Sequence, residues 1–173
     1  MDIPRKILIP LTSITIILLL GIYHVFGASH AHLVTQVFDG DTIQLDDGRK
    51  VRLIGVDAPE VQSPYCDQEP FGQESKAYLT SLILNKKVTL SLGDPSKDKY
   101  GRTLAYVSQG DVLVNGRIIR DGWARSYRMF YHPLRDLFSV YEREARSKGL
   151  GLWSDKDRSR TRAKKNGVEH KRD

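Results

Sequence analysis

Four carboxylates and one arginine in the first half of this sequence have the types and spacing that could do chemistry. Asp39 and Asp41 flank a glycine, Asp57 and Glu60 follow in a second acidic stretch, and Arg52 lies between the two pairs. Carboxylate oxygens are the ligands that a hard cation such as calcium prefers. A guanidinium can grip a phosphate through two parallel hydrogen bonds. The set predicts a site where a divalent cation and an arginine hold the same phosphate.

A β-hairpin between the two acidic pairs is the element that must position them. Residues 42–45 and 51–56 are rich in β-branched or aliphatic side chains, and Asp47-Gly48 between them is a strong turn signal. Such a hairpin returns the second acidic stretch to the place where the first one began.

The register of this hairpin follows if Asp47 and Gly48 are its two central turn residues. Arg52 then faces Ile43. Because alternate residues of a strand share a face, Asp41 projects on the same side of the hairpin as Arg52.

The second acidic stretch needs a bend to join the first. Asp57 lies at the hairpin end where Asp41 begins, but its position in the strand aims it to the other face. A bend at Asp57-Ala58-Pro59 is predicted, because proline cannot continue a central ladder and restricts the residue before it. The bend carries Asp57 and Glu60 over the Asp41 side.

The rest of the chain up to residue 154 alternates short strands with helices. Further strands are predicted at residues 33–38, 88–92 and 103–108. Apolar periodicity predicts a helix of about 12 residues through 71–82, a short helix at 112–120 and a third through 134–145. Five short strands with interspersed helices indicate an α+β domain, a five-stranded Greek-key barrel of the OB type.

Three blocks of this sequence resemble the signature blocks of the thermonuclease-like (staphylococcal nuclease) family. They are Asp39–Thr42, Val51–Glu60 and Asp98–Tyr106, in the family's order and with similar spacing. The resemblance covers residues 33 to 154, nearly the whole domain. It implies a five-stranded OB barrel with about three helices and calcium-dependent hydrolysis of DNA and RNA, with single strands preferred.

The resemblance also implies a ligand set for one calcium ion per active site. Asp41 and Asp57 would bind the ion through their carboxylates, Ala58 would bind it through its backbone carbonyl, and Asp39 would belong to the outer shell. Ala58 stands where the best-known member has threonine, and a carbonyl ligand does not depend on that side chain.

Roles in catalysis and substrate binding follow from the same resemblance. Glu60 would position or deprotonate the attacking water, and Arg52 and Arg102 would bind the scissile phosphate. Spacing near Tyr127 and Tyr131 departs from the family pattern by one residue, so which of them stacks a base or contacts the phosphate stays open. The expected substrate contacts are Lys99, Tyr100, Tyr127 and Tyr131.

Two other functions compete with hydrolysis. An OB barrel can hold single strands by stacking and a basic groove without cleaving them. That module would not need the acidic and arginine residues above. A membrane-tethered interaction protein could instead use a basic tail on anionic lipid.

The N-terminus reads as a targeting segment. Arg5 and Lys6 precede an apolar run over residues 7–28, which predicts a hydrophobic helix that is a signal peptide or a single-pass membrane anchor. Either form places everything after His30 outside the cytoplasm. The predicted organisation is therefore a targeting segment at 1–31, a nuclease-like domain at 32–154 and a basic, disordered tail at 155–173.

Charge and cysteine content indicate the kind of partner and exclude some ways of stabilising the fold. The chain carries a formal net charge of +6, which favours a polyanionic partner such as nucleic acid. Its single cysteine, Cys66, excludes an intrachain disulfide, and the five histidines lack zinc-ligand spacing to it. We expect a monomer stabilised by core packing alone.

Overall fold

The computed structural model describes residues 30–61 and 69–154. The predicted N-terminal hydrophobic segment up to residue 29, the centre of the 61–72 loop with Cys66, and the tail from residue 155 lie outside the described residues. Within the described part of the chain, no helix has the length and apolar character needed to cross a membrane.

Eight strands and three α-helices form the described domain. The strands are β1 (His32–Val37), β2 (Thr42–Leu45), β3 (Lys50–Leu53), β4 (Val56–Asp57), β5 (Lys87–Lys97), β6 (Thr103–Gln109), β7 (Val112–Leu113) and β8 (Arg125–Ser126). The helices are α1 (Gly72–Ile83), α2 (Val114–Arg120) and α3 (Arg135–Ser147), followed by a 3₁₀ turn, Gly151–Trp153.

Five of these strands close into a barrel. Strand β1 pairs antiparallel with β2 and β5, β2 pairs with β3, and β5 pairs with β6. A parallel pairing of β3 with β6 completes the ring. The prediction of a five-stranded OB-type barrel with three helices in an α+β domain is confirmed.

The barrel interior is filled by the alternate apolar residues of its strands. Val34, Ile43, Val51 and Val107 are fully buried, and Ile118 and Phe138 join them from the helices. Each such side chain contributes roughly 1.5–3 kcal/mol by leaving water. The residues between them therefore face outward, where function can use them.

The predicted register of the β2–β3 hairpin is wrong by one residue. Arg52 pairs with Thr42, not with Ile43. The turn has three residues, because the Leu45 N–H donates to the Arg49 carbonyl and the Leu45 carbonyl accepts the Gly48 N–H. Gly48 adopts a φ of 83°. A glycine at this left-handed position marks a three-residue loop with a bulge, rather than the two-residue turn that Asp-Gly also fits.

The predicted bend at Pro59 is also wrong in position, since the chain turns earlier. Strand β3 ends at Leu53, and Gly55 adopts a φ of 74°. A Cβ at Gly55 would lie 2.5 Å from the His132 ring, so a glycine is needed for space as well as for φ. The turn frees Val56–Asp57 to pair with β8 as a separate short ribbon.

The helices match the predicted periodicity, with one boundary moved. Helix α1 has the expected 12 residues, and α3 begins and ends within two residues of the predicted span. The predicted helix at 112–120 instead begins at Val114, because Val112–Leu113 extend the sheet beside β6.

Buried Asn115 ties α2 to the barrel where β3 ends. Its Oδ1 accepts the Val107 N–H at 2.8 Å, and its Nδ2 donates to the carbonyls of Ile54 and Ala105 at 2.9 and 3.2 Å. These bonds hold three backbone groups at the end of the β3–β6 pairing, where the Ala105 carbonyl also accepts the Ile54 N–H at 3.0 Å. Asn115 thereby fixes the turn that precedes Asp57.

Replacing this amide by a carboxylate should destabilise the fold. In Asn115→Asp the Val107 bond survives, but anionic oxygens face two carbonyls in a buried site, which should cost about 3 kcal/mol or more. Urea unfolding monitored by circular dichroism measures the difference. Exposed Asn85, which has a φ of 58°, is the matched control, and Asn85→Asp should stay within about 0.5 kcal/mol of the wild type. Equal stability of the two variants would contradict the role given to Asn115.

Candidate metal and phosphate site

A buried carboxylate, Asp41, lies at the centre of the predicted site. Asp41 is 4% exposed. Its Oδ1 accepts the Thr42 hydroxyl at 3.0 Å, and its Oδ2 accepts the Ala58 N–H at 3.0 Å and contacts Arg52 Nη1 at 2.7 Å. Burial raises the pKa of Asp41 to about 8, against the opposing charge of Arg52. The Ala58 bond joins the two predicted acidic stretches directly.

A tight turn holds Asp39 beside Asp41. The Asp41 N–H donates to Asp39 Oδ1 at 2.8 Å. A Cβ at Gly40 would lie 2.6 Å from the Ala58 Cβ and would overlap the Ser75 hydroxyl, so only glycine allows this approach. Ser75 is itself fixed by donating to the Trp123 carbonyl at 2.7 Å. Helix α1 thus packs the Asp39–Asp41 turn against the segment that follows Asp57.

Asp57 reaches the site on the short β4–β8 ribbon. It pairs with Arg125 and is half-buried. Burial raises the pKa of Asp57, while the charges of Arg125 and Arg52 lower it and that of Glu69 raises it further. The Arg52 guanidinium that contacts Asp41 therefore also lowers the pKa of Asp57.

Glu60 lies at the exposed edge of the same group. Partial burial and the nearby charge of Asp39 raise the pKa of Glu60, Glu69 adds to the rise, and the charges of Arg52 and Arg102 oppose it. Both predicted arginines and the Asp39 carboxylate are therefore close enough to influence Glu60 electrostatically. Asp41 contacts Arg52 and lies beside Asp39, whereas Asp57, Glu60 and Arg102 are linked to this pair through electrostatic interactions.

Arg52 is anchored through one of its three nitrogens. Its Nη1 contacts Asp41 and donates to the Val56 carbonyl at 2.8 Å. Within the described residues, its Nε and Nη2 have no hydrogen-bond acceptor. A guanidinium held in this way has a fixed orientation and donors left for an anion.

Arg102 is held by its own loop. Its Nε donates to Asp98 Oδ2 at 2.7 Å, and Asp98 Oδ1 accepts the Tyr100 and Arg102 N–H groups at 2.9 and 3.0 Å. Tyr100 is 72% exposed, and its ring centroid lies 5.5 Å from the Arg102 guanidinium and 5.0 Å from Lys99 Nζ. The predicted contacts Lys99 and Tyr100 therefore flank Arg102.

The two other predicted contact residues border an exposed aromatic loop. The Tyr127 N–H donates to the Gly55 carbonyl at 2.9 Å, and its ring centroid lies 5.9 Å from that of Phe130. Met129, Phe130 and Tyr131 are 80%, 72% and 84% exposed. Tyr127 is thus attached to the turn before Asp57, while Tyr131 lies at the surface.

Three charged residues near the site escaped the sequence analysis. Glu69, paired with the Glu60 backbone, and Arg125, opposite Asp57, become neighbours only through the fold. Glu142 lies among the charged residues of α3, yet its carboxylate is almost fully buried. No local pattern distinguishes such a residue from the surface charges beside it.

Glu142 supports the ribbon that carries Asp57. Its Oε2 accepts the Ser126 N–H at 3.1 Å and contacts Arg128 Nη2 at 2.8 Å, and its Oε1 accepts from Arg146. Burial raises the pKa of Glu142, but the Ser126 bond and the two arginines outweigh it, so the pKa lies below its ordinary value. The carboxylate ties α3 to β8, and β8 pairs with Asp57.

A separate group of ligand-type side chains lies at the other end of β2. Among the described residues, His32, Asp46 and Asp47 have ligand atoms within 4.8 Å of one another. Arg49 already bridges this group, since its Nη2 lies 2.6 Å from Asp47 Oδ2 and 2.9 Å from a His32 ring nitrogen. The guanidinium therefore offsets the charge of Asp47, one of the two carboxylates in this group.

The residues around Asp41 fit a hard divalent cation. The side chains near it that could bind metal are carboxylates, the donor class that calcium prefers. The pKa values of Asp41, Asp57 and Glu60 are all raised by burial. Carboxylates withdrawn from water next to one another are costly as anions, and a bound cation offsets that cost.

Comparison with known proteins adds independent evidence. The profile of the family described as "Staphylococcal nuclease homologue" matches residues 50–155. A thermonuclease of Staphylococcus intermedius is 41% identical over 129 residues, covering 71% of this chain and 76% of the relative. A thermonuclease of Staphylococcus hyicus is 36% identical, covering 70% and 75%. A micrococcal nuclease of Shigella flexneri is 33% identical, covering 70% and 72%.

Removing the buried Glu142 charge should weaken the fold and flatten its acid dependence. Because the folded-state pKa lies below the unfolded value, the contribution of Glu142 is present above about pH 4.3 and is lost as the pH falls through the folded pKa. Glu142→Gln should lose about 1.5–3 kcal/mol at pH 7 and show a smaller fall in stability between pH 7 and pH 3. Urea unfolding at both pH values measures this.

The control for Glu142 is Glu144 on the same helix. Its ion pair with Arg120 at 3.3 Å is largely exposed, and Glu144→Gln should change stability by about 1 kcal/mol or less. A Glu142→Gln variant with the wild-type pH dependence would show that the carboxylate carries no ionised contribution.

Proposed function

The chain belongs to the staphylococcal nuclease homologue family, and we propose that it is a calcium-dependent endonuclease that hydrolyses the phosphodiester bonds of DNA and RNA. The observation that carries this proposal is the buried Asp41 carboxylate, bonded to Arg52 and to the Ala58 N–H and surrounded by further carboxylates with raised pKa values. A module that only binds strands gains nothing from a buried acidic group, which repels phosphates.

The proposed metal ligands are the carboxylates of Asp41 and Asp57 and the backbone carbonyl of Ala58, with Asp39 in the outer shell. When bound, calcium supplies Lewis-acid polarisation of the phosphate and neutralises part of its charge. Asp41 keeps its orientation through the Thr42 hydroxyl and the Ala58 N–H, so the ligand is fixed before any ion binds.

Arg52 and Arg102 are proposed to hold the scissile phosphate. Arg52 has Nε and Nη2, and Arg102 has both Nη atoms, without acceptors among the described residues. Asp41 and Asp98 hold the two guanidinium groups in place. Fixed cations of this kind stabilise the charge that develops on the phosphate oxygens in the transition state.

Glu60 is proposed to accept the proton of the attacking water. Its carboxyl is at the open edge of the site, and its pKa is raised by burial and by Asp39. A base works best when its pKa approaches the working pH, so this shift favours the role.

Aromatic side chains around the site favour a single-stranded substrate. Tyr100 and Tyr131 are 72% and 84% exposed, and Tyr127 lies beside Phe130. Unpaired bases can stack on such rings at roughly 1–3 kcal/mol each. We propose that Lys99 and Tyr100 contact the strand beside Arg102 and that Tyr127 and Tyr131 contact bases.

The N-terminal segment underlies a proposal on location. Arg5 and Lys6 before an apolar run favour export of the domain, either anchored or released. We propose that a monomeric nuclease domain acts outside the cytoplasm. Fractionation of cells that express the full chain tests this, and enzyme confined to the cytosol would contradict it.

Metal dependence is tested with Asp41→Asn. Wild-type protein should cleave single-stranded DNA with calcium and stop in excess chelator, and calcium should raise its thermal midpoint, since a ligand at 100 times its Kd adds about 2.7 kcal/mol. Asp41→Asn should lose most activity and the calcium-induced shift, while folding without calcium because no charge is buried. Exposed Asp111 supplies the control, Asp111→Asn, which should behave as wild type. Cleavage that persists in excess chelator would contradict the metal mechanism.

The water-activating role is tested with Glu60→Gln. The amide keeps the shape but cannot accept the proton, so kcat should fall by about 10²–10⁴ while calcium still raises the thermal midpoint. Glu74→Gln, an exposed change in the first turn of α1, should leave kcat unchanged. If Glu60→Gln retains wild-type kcat across the pH range, Glu60 is not the base.

A further inference from the structure

We propose that a second site for the nucleic acid strand lies beside Arg52 on the outer face of the barrel. It consists of Phe38, Gln44 and Lys50, called here the Lys50 patch, and it holds one nucleotide next to the cleaved bond. The inference rests on the proposed function and extends it to residues with no role in hydrolysis. Lys50 binds the phosphate of that nucleotide, and the Phe38 ring stacks on its base.

The strand register places Lys50 on the same face as Arg52. Gln44 pairs with Lys50 and Thr42 pairs with Arg52, while Val51 between the two cations is fully buried in the core. Because successive residues of a strand face opposite sides, Lys50 and Arg52 both face outward. Lys50 is also exposed, so its ammonium is accessible.

The closure of the barrel adds a third cation to this face. Strands β3 and β6 run parallel, with Val51 opposite Thr103 and Arg52 opposite Leu104. Continuing this register one step sets Lys50 opposite Arg102. Three positive side chains therefore occupy adjoining positions, two of which are assigned above to the scissile phosphate.

A cation and an aromatic ring meet in the patch. Lys50 Nζ lies 4.5 Å from the centroid of the Phe38 ring. Phe38 directly precedes Asp39, and its N–H donates to the Thr42 carbonyl at 2.9 Å, so the backbone that carries the ring is tied to the carboxylate turn. Sites for single strands combine a basic groove for phosphates with aromatic faces for bases.

Lys50 is available to an anion, in contrast to its neighbour. Among the described residues, no carboxylate lies within 4.0 Å of Lys50, whereas Arg49 is bound to Asp47 at 2.6 Å. The Gln44 amide beside Lys50 adds a further hydrogen-bonding group to the patch. Asp47 in the turn thus neutralises Arg49, whereas Lys50 stays available to a ligand.

The patch repeats a pairing found across the site. Lys99 Nζ lies 5.0 Å from the Tyr100 ring beside Arg102, and Lys50 lies 4.5 Å from the Phe38 ring beside Arg52. The group between them is acidic, so a strand approaching it is repelled unless cations hold its phosphates on both sides. Lys99 and Tyr100 bind the strand on one side of the acidic group, and the Lys50 patch binds it on the other.

Steady-state kinetics on a single-stranded oligodeoxynucleotide at 50 and 200 mM salt test the patch. Lys50→Gln should raise KM about fivefold near 0.1 M salt with kcat retained, because one phosphate contact releases about 0.7 counterion. Between the two salt concentrations its kcat/KM should fall about two- to threefold less than that of the wild type. Phe38→Leu should raise KM about fivefold or more with the wild-type salt dependence, since stacking carries no charge.

The control for Lys50 is Lys87, which is exposed and pairs with Leu33 at the far end of β1. Lys87→Gln should match wild type in KM and in salt dependence. If Lys50→Gln also matches Lys87→Gln, Lys50 is an ordinary surface cation and the inference is overturned. A wild type that cleaves neither DNA nor RNA overturns the proposed function instead. Fluorescence anisotropy of a labelled single strand in excess chelator then tests the patch by binding alone.

Discussion

The contact between the buried Asp41 carboxylate and Arg52 is the interaction on which the rest of the site depends. A carboxylate that is 4% exposed pays a large desolvation cost. Arg52 Nη1 at 2.7 Å and the Ala58 N–H at 3.0 Å offset it only in part, because the pKa of Asp41 remains raised to about 8. Under the proposed function, a bound divalent cation would offset this remaining deficit.

This constraint explains why the barrel is built so tightly around two short turns. Gly40 lets the Asp39–Asp41 turn contact Ala58, and Gly55 lets the chain leave β3 in time for Asp57 to join β8. Asn115 satisfies the backbone that this departure exposes. The acidic group is therefore formed by elements that each have little conformational freedom.

Features that depend on residues close in sequence could be predicted, whereas features that depend on contacts between distant residues could not. Strand alternation and helical spacing were sufficient for the barrel and the three helices, and the site carboxylates lay in short motifs. The hairpin register failed because Asp-Gly fits both two- and three-residue turns, and only the φ of Gly48 decides between them. Glu142 and Arg125 could not be recognised, because their importance arises from pairing with residues distant in sequence.

Charge placement reconciles the acidic centre with a basic chain. The net charge of +6 belongs to the whole chain, and most of it comes from residues outside 30–154. Within the barrel, carboxylates neutralise Arg49 and hold Arg102, while Lys50 and Lys99 rest on aromatic rings. A cation over an exposed ring is held weakly, by about 0.5–1 kcal/mol, far less than a phosphate offers in the same position. The two lysines thus lie near the acidic group without forming ion pairs with its carboxylates. Under the two proposals above, transfer of each lysine from ring to phosphate would leave the ring face open for a base, so that one movement would provide both contacts.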